Sequence, residues 1–565
     1  MKSVMTHQFS QAPVALIPRS KFDRSCGYKT CFDSGYLIPF FFDEVLPGDT
    51  FDVNATIFAR LSTPCVPIMD NIFIDTHFFF VPNRLVWEHW ANFCGEQDNP
   101  DDSTDYVTPY VSVPSSGYEI GSIFDYFGLP VEKSGYQSNG RNNLSPVAFY
   151  FRAYNLIWNE WYRDENLQDR VTVNKGDGED DYSLYTLLKR GKRHDYFTSC
   201  LPFPQKNGGV EVSLGGTAPV YGYEDDVMKL REQSHNGRLG DELDPIDPTD
   251  PEGTTTSSDK YVSLYSISSK ANQAQAYLYT SDSDSMSSGS YNLLSKYRAN
   301  QYDLNSGLYA DLSDVSAITI NSLRQAVALQ QYYETDARGG TRYTEKIRAH
   351  FGVISPDGRL QRPEYLGGST NRMNINPVAQ TSSTDETSPQ GNLAGYGVAS
   401  STNNGFVKSF TEHGVIIGLV SVRCDLTYQQ GLDRMYSRKS ITDYYWPAFA
   451  HIGEQSVLNK EIYAAGTTAD DEVFGYQERY AEYRYKQSLI TGKFRSQCSE
   501  SLDVWHLSQY FENRPELNSE FIEENPPLER VLAVQDEPQI LFDSYIRNYC
   551  IRPMPLYGIP GLKKL

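Results

Sequence analysis

The hydrophobic pattern changes character along the chain. Near the start, aromatic and β-branched residues gather in short runs over residues 36–42, 50–59 and 71–81, which predicts strands. In Phe51-Asp52-Val53-Asn54-Ala55-Thr56-Ile57-Phe58 the apolar and polar residues first alternate, and the alternation then fades. That is the pattern of a strand with one buried face. Pro47-Gly48 supplies a turn between the first two runs. Strand signals return over 414–425 and, closer to the end, over 503–511 and 542–551.

Between these stretches the period lengthens. Residues 83–93 predict a short helix stopped by Gly95, and 146–165 predict a stronger one. In the latter, Ser145 can cap the start and Pro146 suits the first helical position. Phe151, Tyr154, Trp158 and Trp161 recur on one face. A third helix is predicted over 320–337, capped by Asn321 or Ser322 and stopped by Gly339-Gly340, and a fourth over 344–351.

The remaining segments are polar. Residues 1–35, interrupted by Pro13 and Pro18, predict an extended arm, and 552–565 a Pro- and Gly-rich tail. Residues 370–405, rich in Asn, Ser, Thr and Gly, predict a loop. Residues 208–320 carry 17 acidic against 7 basic side chains and include the low-complexity run 281–290. Such a stretch buries little core and predicts a surface insertion. It divides the first structured part, 36–207, from the second, 321–551. Strands at both ends with helices and loops between them predict a mainly β chain: a single eight-stranded jelly-roll β-sandwich with long loop insertions containing helices.

Composition sharpens this picture. The chain has 565 residues, with 41 Tyr, 28 Phe, 41 Gly and 30 Pro. Tyr in such numbers suits extended protein contacts, because its ring gives area at low entropy cost and its hydroxyl a hydrogen bond. A net charge of -22 excludes a chain that neutralises nucleic acid by itself. The eight cysteines contain no CxxC pair and predict buried thiols in a reducing compartment rather than a disulfide framework. Residues 1–13 lack the apolar core of a secretory signal, and no apolar run is long enough to insert in a membrane.

Catalytic signatures are absent. The nine His residues form no HExxH, and there is no GxSxG elbow or Walker-type loop. No metal, cofactor or catalytic residue is expected. The run 244–253, with Asp244, Asp247, Asp250 and Glu252, offers oxygen ligands for calcium but lacks the Gly and closing Glu of an EF-hand; a solvated acidic loop fits it better. The one dense basic cluster is Lys189, Arg190, Lys192, Arg193 and His194, followed by Tyr196 and Phe197. It suits phosphates with bases stacked nearby, or equally an interface where Arg meets a neighbour's carboxylates. Lys563 and Lys564 form a smaller basic spot in the tail.

Several long stretches resemble one family. They include Leu46-Pro47-Gly48-Asp49-Thr50-Phe51, Asp75-Thr76-His77-Phe78-Phe79-Phe80-Val81-Pro82-Asn83-Arg84 and Arg152-Ala153-Tyr154-Asn155-Leu156-Ile157-Trp158-Asn159. Others are Arg190-Gly191-Lys192-Arg193-His194-Asp195-Tyr196-Phe197, Asp336-Ala337-Arg338-Gly339-Gly340-Thr341-Arg342, Phe474-Gly475-Tyr476-Gln477-Glu478-Arg479-Tyr480 and Arg552-Pro553-Met554-Pro555. In these the chain resembles the major capsid proteins of gokushoviruses, within the Microviridae. It departs from them at Cys26 and Cys31, where His and Thr would be expected, and across 208–320.

The resemblance implies a jelly roll of which sixty copies form a T=1 icosahedral shell around circular single-stranded DNA. It also implies an internal scaffolding protein, a small basic DNA-binding protein and a host surface receptor as partners. The insertion would build the three-fold protrusions, with Asp244, Asp247, Asp250, Glu252, Asp282 and Asp284 on the host-contact surface. The competing reading is a secreted carbohydrate-binding or carbohydrate-active β-sandwich. A receptor-binding fibre is disfavoured by the lack of repeats or heptads.

Overall fold

The computed structural model describes residues 17–97, 99, 101–131, 144–207, 320–339, 349–350, 361–381 and 390–557, with short strand segments inside 132–143 and 208–319. The chain divides into two compact units, Met1–Gly208 with Tyr332–Leu565, and Gly209–Gln331.

The first unit is a β-sandwich of two antiparallel sheets. Its strands are β1 (Ser20–Asp23), β2 (Cys26–Phe32), β3 (Ile38–Val45), β4 (Thr50–Leu61), β5 (Ile72–Pro82), β6 (Glu364–Arg372), β7 (Asn374–Ala379), β8 (Leu393–Ser409), β9 (Gly414–Cys424), the hairpin β10 (Gln455–Leu458) and β11 (Val473–Gln477), and β12 (Ile540–Arg552). One sheet runs β1–β12–β4–β8–β7, with β2 also on β12; the other runs β6–β5–β9–β3. Strands far apart in sequence thus lie side by side: Phe542 of β12 stands opposite Ala59 of β4, and Ile416 of β9 opposite Phe80 of β5.

The two sheets follow different patterns. β4 alternates buried and open positions, and its inward residues Phe51, Val53, Ala55, Ile57, Ala59 and Leu61 meet Phe40, Phe78, Phe80, Ile416, Val420 and Val422 in the core between the sheets. β9, Gly-Val-Ile-Ile-Gly-Leu-Val-Ser-Val-Arg-Cys, is buried almost throughout, as a strand covered on both faces must be. Its second face, with Val415, Ile417 and Leu419, packs with Phe79 and Val81 against the helix α1 (Phe149–Trp161). A third cluster, around Phe197, Val457, Ile462, Phe474 and Phe521, sits beneath β10 and β11.

Several elements differ from the sequence reading. α1 begins at Phe149, and neither Ser145 nor Pro146 caps it. The entering chain is held extended instead, because the Val111 N–H donates to the Pro146 carbonyl and the Ala148 N–H to the Pro109 carbonyl. Residues 83–93 form two single turns, Asn83–Val86 and Trp90–Phe93. Extended backbone at Trp87 separates them, with its indole N–H donating to Asp177 at 2.6 Å. Residues 503–511 are a 3-10 turn, Asp503–Trp505, followed by irregular chain; the Gln509 N–H donates to Thr427 rather than to a sheet.

The arm expected over 1–35 is bound along much of its described length. β1 and β2 pair with β12 at Ser20–Arg552 and Phe32–Ile540, covering an edge that would otherwise expose unpaired amides. The expected loop 370–405 contains β7 and most of β8, the longest strand of the sandwich. Its small residues are needed for close approach: a Cβ on Gly405 would sit 1.9 Å from the Val53 carbonyl oxygen. The cysteines are not uniformly buried either, since Cys26, Cys31, Cys65 and Cys94 are exposed while Cys200, Cys424 and Cys550 are buried. Cys26 and Cys31 lie on β2, which among the described residues pairs only on its β12 side.

The helix α2 (Ile320–Gly339) extends two residues beyond its predicted end. Of the expected helix 344–351, residues 349–350 are helical and the rest lies outside the described residues. Within the second unit, short strands pair Val220–Gly222 with Leu308–Ala310 and build a four-stranded sheet from Leu239–Glu242, Arg231–Gln233, Ser290–Asn292 and Gln275–Tyr277. Among the described residues, no helix is long and apolar enough to cross a membrane.

Candidate functional site: a basic cavity over a buried ion cluster

The basic cluster is fixed first by backbone. The Leu37 N–H donates to the Leu188 carbonyl at 3.0 Å and the Arg190 N–H to the Gly35 carbonyl at 2.8 Å. On the other side, the Lys192 N–H donates to Ile522 at 2.7 Å and the Glu524 N–H to Arg190 at 2.9 Å. Residues 188–192 are therefore laced between the turn before β3 and the chain at 522–524. Gly35 permits the close approach: its φ is +84°, and a Cβ there would stand 2.2 Å from the Glu524 carbonyl oxygen.

From this strip the side chains reach the outer face of the β6–β5–β9–β3 sheet. Asp75 of β5 is fully buried, and one of its oxygens accepts from Arg190 at 2.6 Å and from Arg423 of β9 at 2.8 Å. Arg190 also donates to the Ser421 hydroxyl at 2.9 Å. Burial raises the Asp75 carboxyl, but Arg190 and Arg423 outweigh it and hold the group below its ordinary value. His77, two residues along β5, lies 2.7 Å from the Tyr162 hydroxyl. Burial, helped by Arg190, lowers its pKa to about 4, so the ring is neutral near pH 7.

Lys192 and Glu524 continue the cluster. The Lys192 ammonium lies 4.5 Å from the centre of the Phe521 ring, and burial lowers its pKa to about 8 against the pull of Glu524 and Asp195. Burial raises Glu524 to about 7, opposed by the Cys424 N–H and by Lys192. Arg193 turns away to Asp425 at 2.9 Å and stacks 4.1 Å from the centre of the Phe73 ring. Lys189 stands over Tyr36 at 5.3 Å.

Above these groups lies a cavity of about 1090 Å³. Arg190, Lys192 and His194 line it together with Arg163, Arg338 and Arg423; Trp161, Tyr162 and Tyr365 supply an aromatic wall. Lys189 and Arg193 are not part of its lining. Cations outnumber the lining carboxylates, Asp164 and Glu165, but Arg190 and Arg423 are met by Asp75 and Arg338 by Glu454 and Glu478.

The sequence reading missed Asp75, Arg423 and Glu524. For the first two a signal existed: a charge inside a strand otherwise apolar on both faces must be paired. Glu524 carried no comparable mark. The six candidate host-contact residues, Asp244, Asp247, Asp250, Glu252, Asp282 and Asp284, and the tail lysines Lys563 and Lys564 lie outside the described residues.

The charges of the ion cluster are matched to one another, and its cavity opens above a sandwich rich in surface tyrosine. Residues 10–562 match the family described as "Capsid protein (F protein)", so the class is a phage shell protein, structural and not an enzyme. The Capsid protein VP1 of Bdellovibrio phage phiMH2K is 46% identical over 569 residues, covering 98% of this chain and 97% of that protein. The Capsid protein VP1 of Chlamydia phage 1 is 45% identical over 602 residues, covering 100% and 99%, and that of Spiroplasma virus 4 is 35% identical over 589 residues, covering 99% and 98%. The chain belongs to the F-protein capsid family and is a major capsid protein of the gokushovirus type, at work in the virion capsid.

Proposed function

We propose that sixty copies of this chain close a T=1 shell around a circular single-stranded DNA genome, with the sandwich serving as a jelly roll. The observation that carries this is the family match across nearly the whole chain. The net charge of -22 supports a division of labour: the shell encloses the genome, while a small basic DNA-binding protein supplies most of the counter-charge. An internal scaffolding protein brings the subunits together, and closed symmetry then multiplies interfaces that are individually modest.

Two parts of the chain take further roles in this reading. The cavity edged by the 189–194 cluster meets an anion, a genome phosphate by preference. Arg190 is committed to Asp75 and Arg193 to Asp425, which leaves Lys192 and His194 as the contributors within the cavity, with Lys189 next to it on the same strip. The acidic segment 208–320 reaches the host surface. Its charge and low complexity support this.

Electron microscopy of the chain expressed in bacteria, with and without its scaffolding partner, tests the shell. Uniform small icosahedral particles are expected; a stable monomer in both conditions would return weight to the carbohydrate-binding sandwich. In particles, Lys189→Glu with His194→Glu should lower DNA content while shells still form. Unchanged packaging would remove the genome role. Deleting residues 243–290 should leave shells that adsorb poorly to cells, and loss of the shells themselves would count against the host-contact role.

A further inference from the structure

Several lysines of the first unit are answered directly by a carboxylate: Lys29 by Asp543, Lys408 by Glu364, Lys460 by Asp471 and Lys486 by Asp433. Lys192 has no such partner. Only 8% of it is exposed, yet it lines the cavity of about 1090 Å³. Among the described residues its ammonium makes no hydrogen bond and no close ion pair, and it stands 4.5 Å from the centre of the Phe521 ring. The charges that oppose it, Glu524 and Asp195, act from further off. Glu524 is buried too, and its Oε2 has no hydrogen-bond partner among the described residues.

An amine placed this way differs chemically from an exposed one. Burial disfavours the ammonium and lowers the Lys192 pKa to about 8. Near pH 7.5 about a quarter of such an amine is neutral, against about one part in a thousand for an ordinary exposed lysine. Neutral, desolvated lysine amines are the ones that condense with carbonyls. The proton that Lys192 sheds has an acceptor in the open oxygen of Glu524.

The surroundings select the carbonyl compound. Arg163 lines the same cavity, spends one N–H on the neutral Gln168 carbonyl at 2.9 Å and has no carboxylate partner among the described residues. His194 lines it as well. The two lining carboxylates are engaged: Asp164 accepts from the Asn166 and Leu167 N–H groups at 2.8 and 3.1 Å, and Glu165 is also partnered. The uncommitted groups are therefore cationic and suit a phosphate, while Trp161 and Tyr365, each about two-fifths exposed, offer rings on which bases stack.

We propose that Lys192 is a covalent site for an aldehyde that carries phosphate, supplied by an abasic deoxyribose of the enclosed strand. The choice of strand rests on the genome reading above. An abasic residue exposes an aldehyde where the base is lost, and it keeps a phosphate on either side. The Lys192 nitrogen adds to the aldehyde carbon, the carbonyl electron pair moves to oxygen, and that oxygen leaves as water with the two protons of the amine. A carbon-nitrogen double bond remains, with no oxidant or reductant consumed.

The chemistry is tested with pyridoxal phosphate on the unassembled full-length chain. Borohydride fixes any imine as a secondary amine, and mass spectrometry maps the labelled lysines. Lys192 should label about tenfold or more faster than Lys29, and inorganic phosphate should slow it. Its rate should level off above about pH 8. Lys192→Arg, which keeps the charge, should lose the label while the chain still folds. The source is tested with oligothymidylate carrying one abasic residue, beside intact oligothymidylate: borohydride should fix the first to Lys192 and not the second. Labelling of wild-type Lys192 no faster than Lys29, or unaffected by phosphate, would overturn the site. A pyridoxal phosphate adduct without an abasic cross-link would overturn the strand as its source and leave a free phosphorylated aldehyde. Unchanged DNA content in particles with Lys189→Glu and His194→Glu would instead remove the genome reading, and the pyridoxal phosphate result would stand apart from it.

Discussion

The two sheets of this sandwich are made of similar residues and obey different rules. In β9 nearly every side chain is buried, because α1 and the strip at 188–192 cover the face that the core does not. In β12 every second residue stays open. A charge on the covered sheet is therefore obliged to find a partner: Asp75 takes Arg190 and Arg423. A charge on the open face has only an optional one, as in Lys29 with Asp543 at 2.7 Å, where the side chains are 79% and 49% exposed. The covered sheet is sealed on both faces, and the open one keeps one face to solvent.

The largest effect that separates them is the loss of one carboxylate charge. Asp75→Asn leaves two guanidinium groups without their anion in a dry site, and should cost about 3–5 kcal/mol. Asp543→Asn on the open face should cost under about 0.5 kcal/mol. Urea unfolding of the unassembled subunit measures both. Similar losses in the two variants would show that the covering of the first sheet has no energetic weight.

A smaller effect tests where the open sheet is itself closed. Gly405 of β8 follows a register shift between Ser401 and Asn404. There the buried Asn404 side chain donates to the Ala55 carbonyl at 2.9 Å and accepts from Asn371 of β6 at 3.1 Å. A methyl on Gly405 would press on the β4 backbone, so Gly405→Ala should cost about 1–3 kcal/mol. Val407→Ala, two residues on and 72% exposed, should change stability by less than about 0.5 kcal/mol. A tolerated alanine at 405 would mean that β4 and β8 can part without loss.

The same contrast explains what could be read in the sequence. β3, β4, β5, β9 and β12 were legible because a buried face leaves an apolar imprint at period two, or a continuous run where both faces are covered. β7 and β8 were read as a loop because their open positions carry Asn, Ser and Thr, and their close contacts demand Gly. Both are turn residues by composition and sheet residues by context. β1 and β2 left little imprint, since their described positions are mostly open and what holds them is backbone pairing to β12. The basic cluster was legible as charge. The need of Asp75 and Arg423 for partners was legible too, but not which partners, because Asp75, Arg423 and Glu524 are brought to the cluster from more than a hundred residues away.

The smallest effect lies in the pH dependence of the covered face. Two buried groups there act in opposite directions. His77 has its pKa lowered to about 4, so between there and its unfolded value near 6.5 the unfolded chain binds the extra proton, and stability rises with pH. Glu524 is raised to about 7 from 4.5. Over that window the folded chain keeps a proton the unfolded chain has lost, and stability falls with pH. From about 4.5 to 6.5 the two slopes oppose each other. Lys192, lowered to about 8 from 10.5, is protonated in both states there and contributes only at higher pH. Wild-type stability should therefore be nearly flat across pH 4.5–6.5 as far as this face is concerned. Glu524→Gln leaves His77 unopposed, and stability should climb with pH by on the order of 1 kcal/mol per unit; His77→Phe should make it decline by a similar amount. Chemical unfolding at closely spaced pH values reads both slopes. If the two variants keep the wild-type profile, neither group is sealed from solvent, and the strip at 188–192 covers the sheet only loosely.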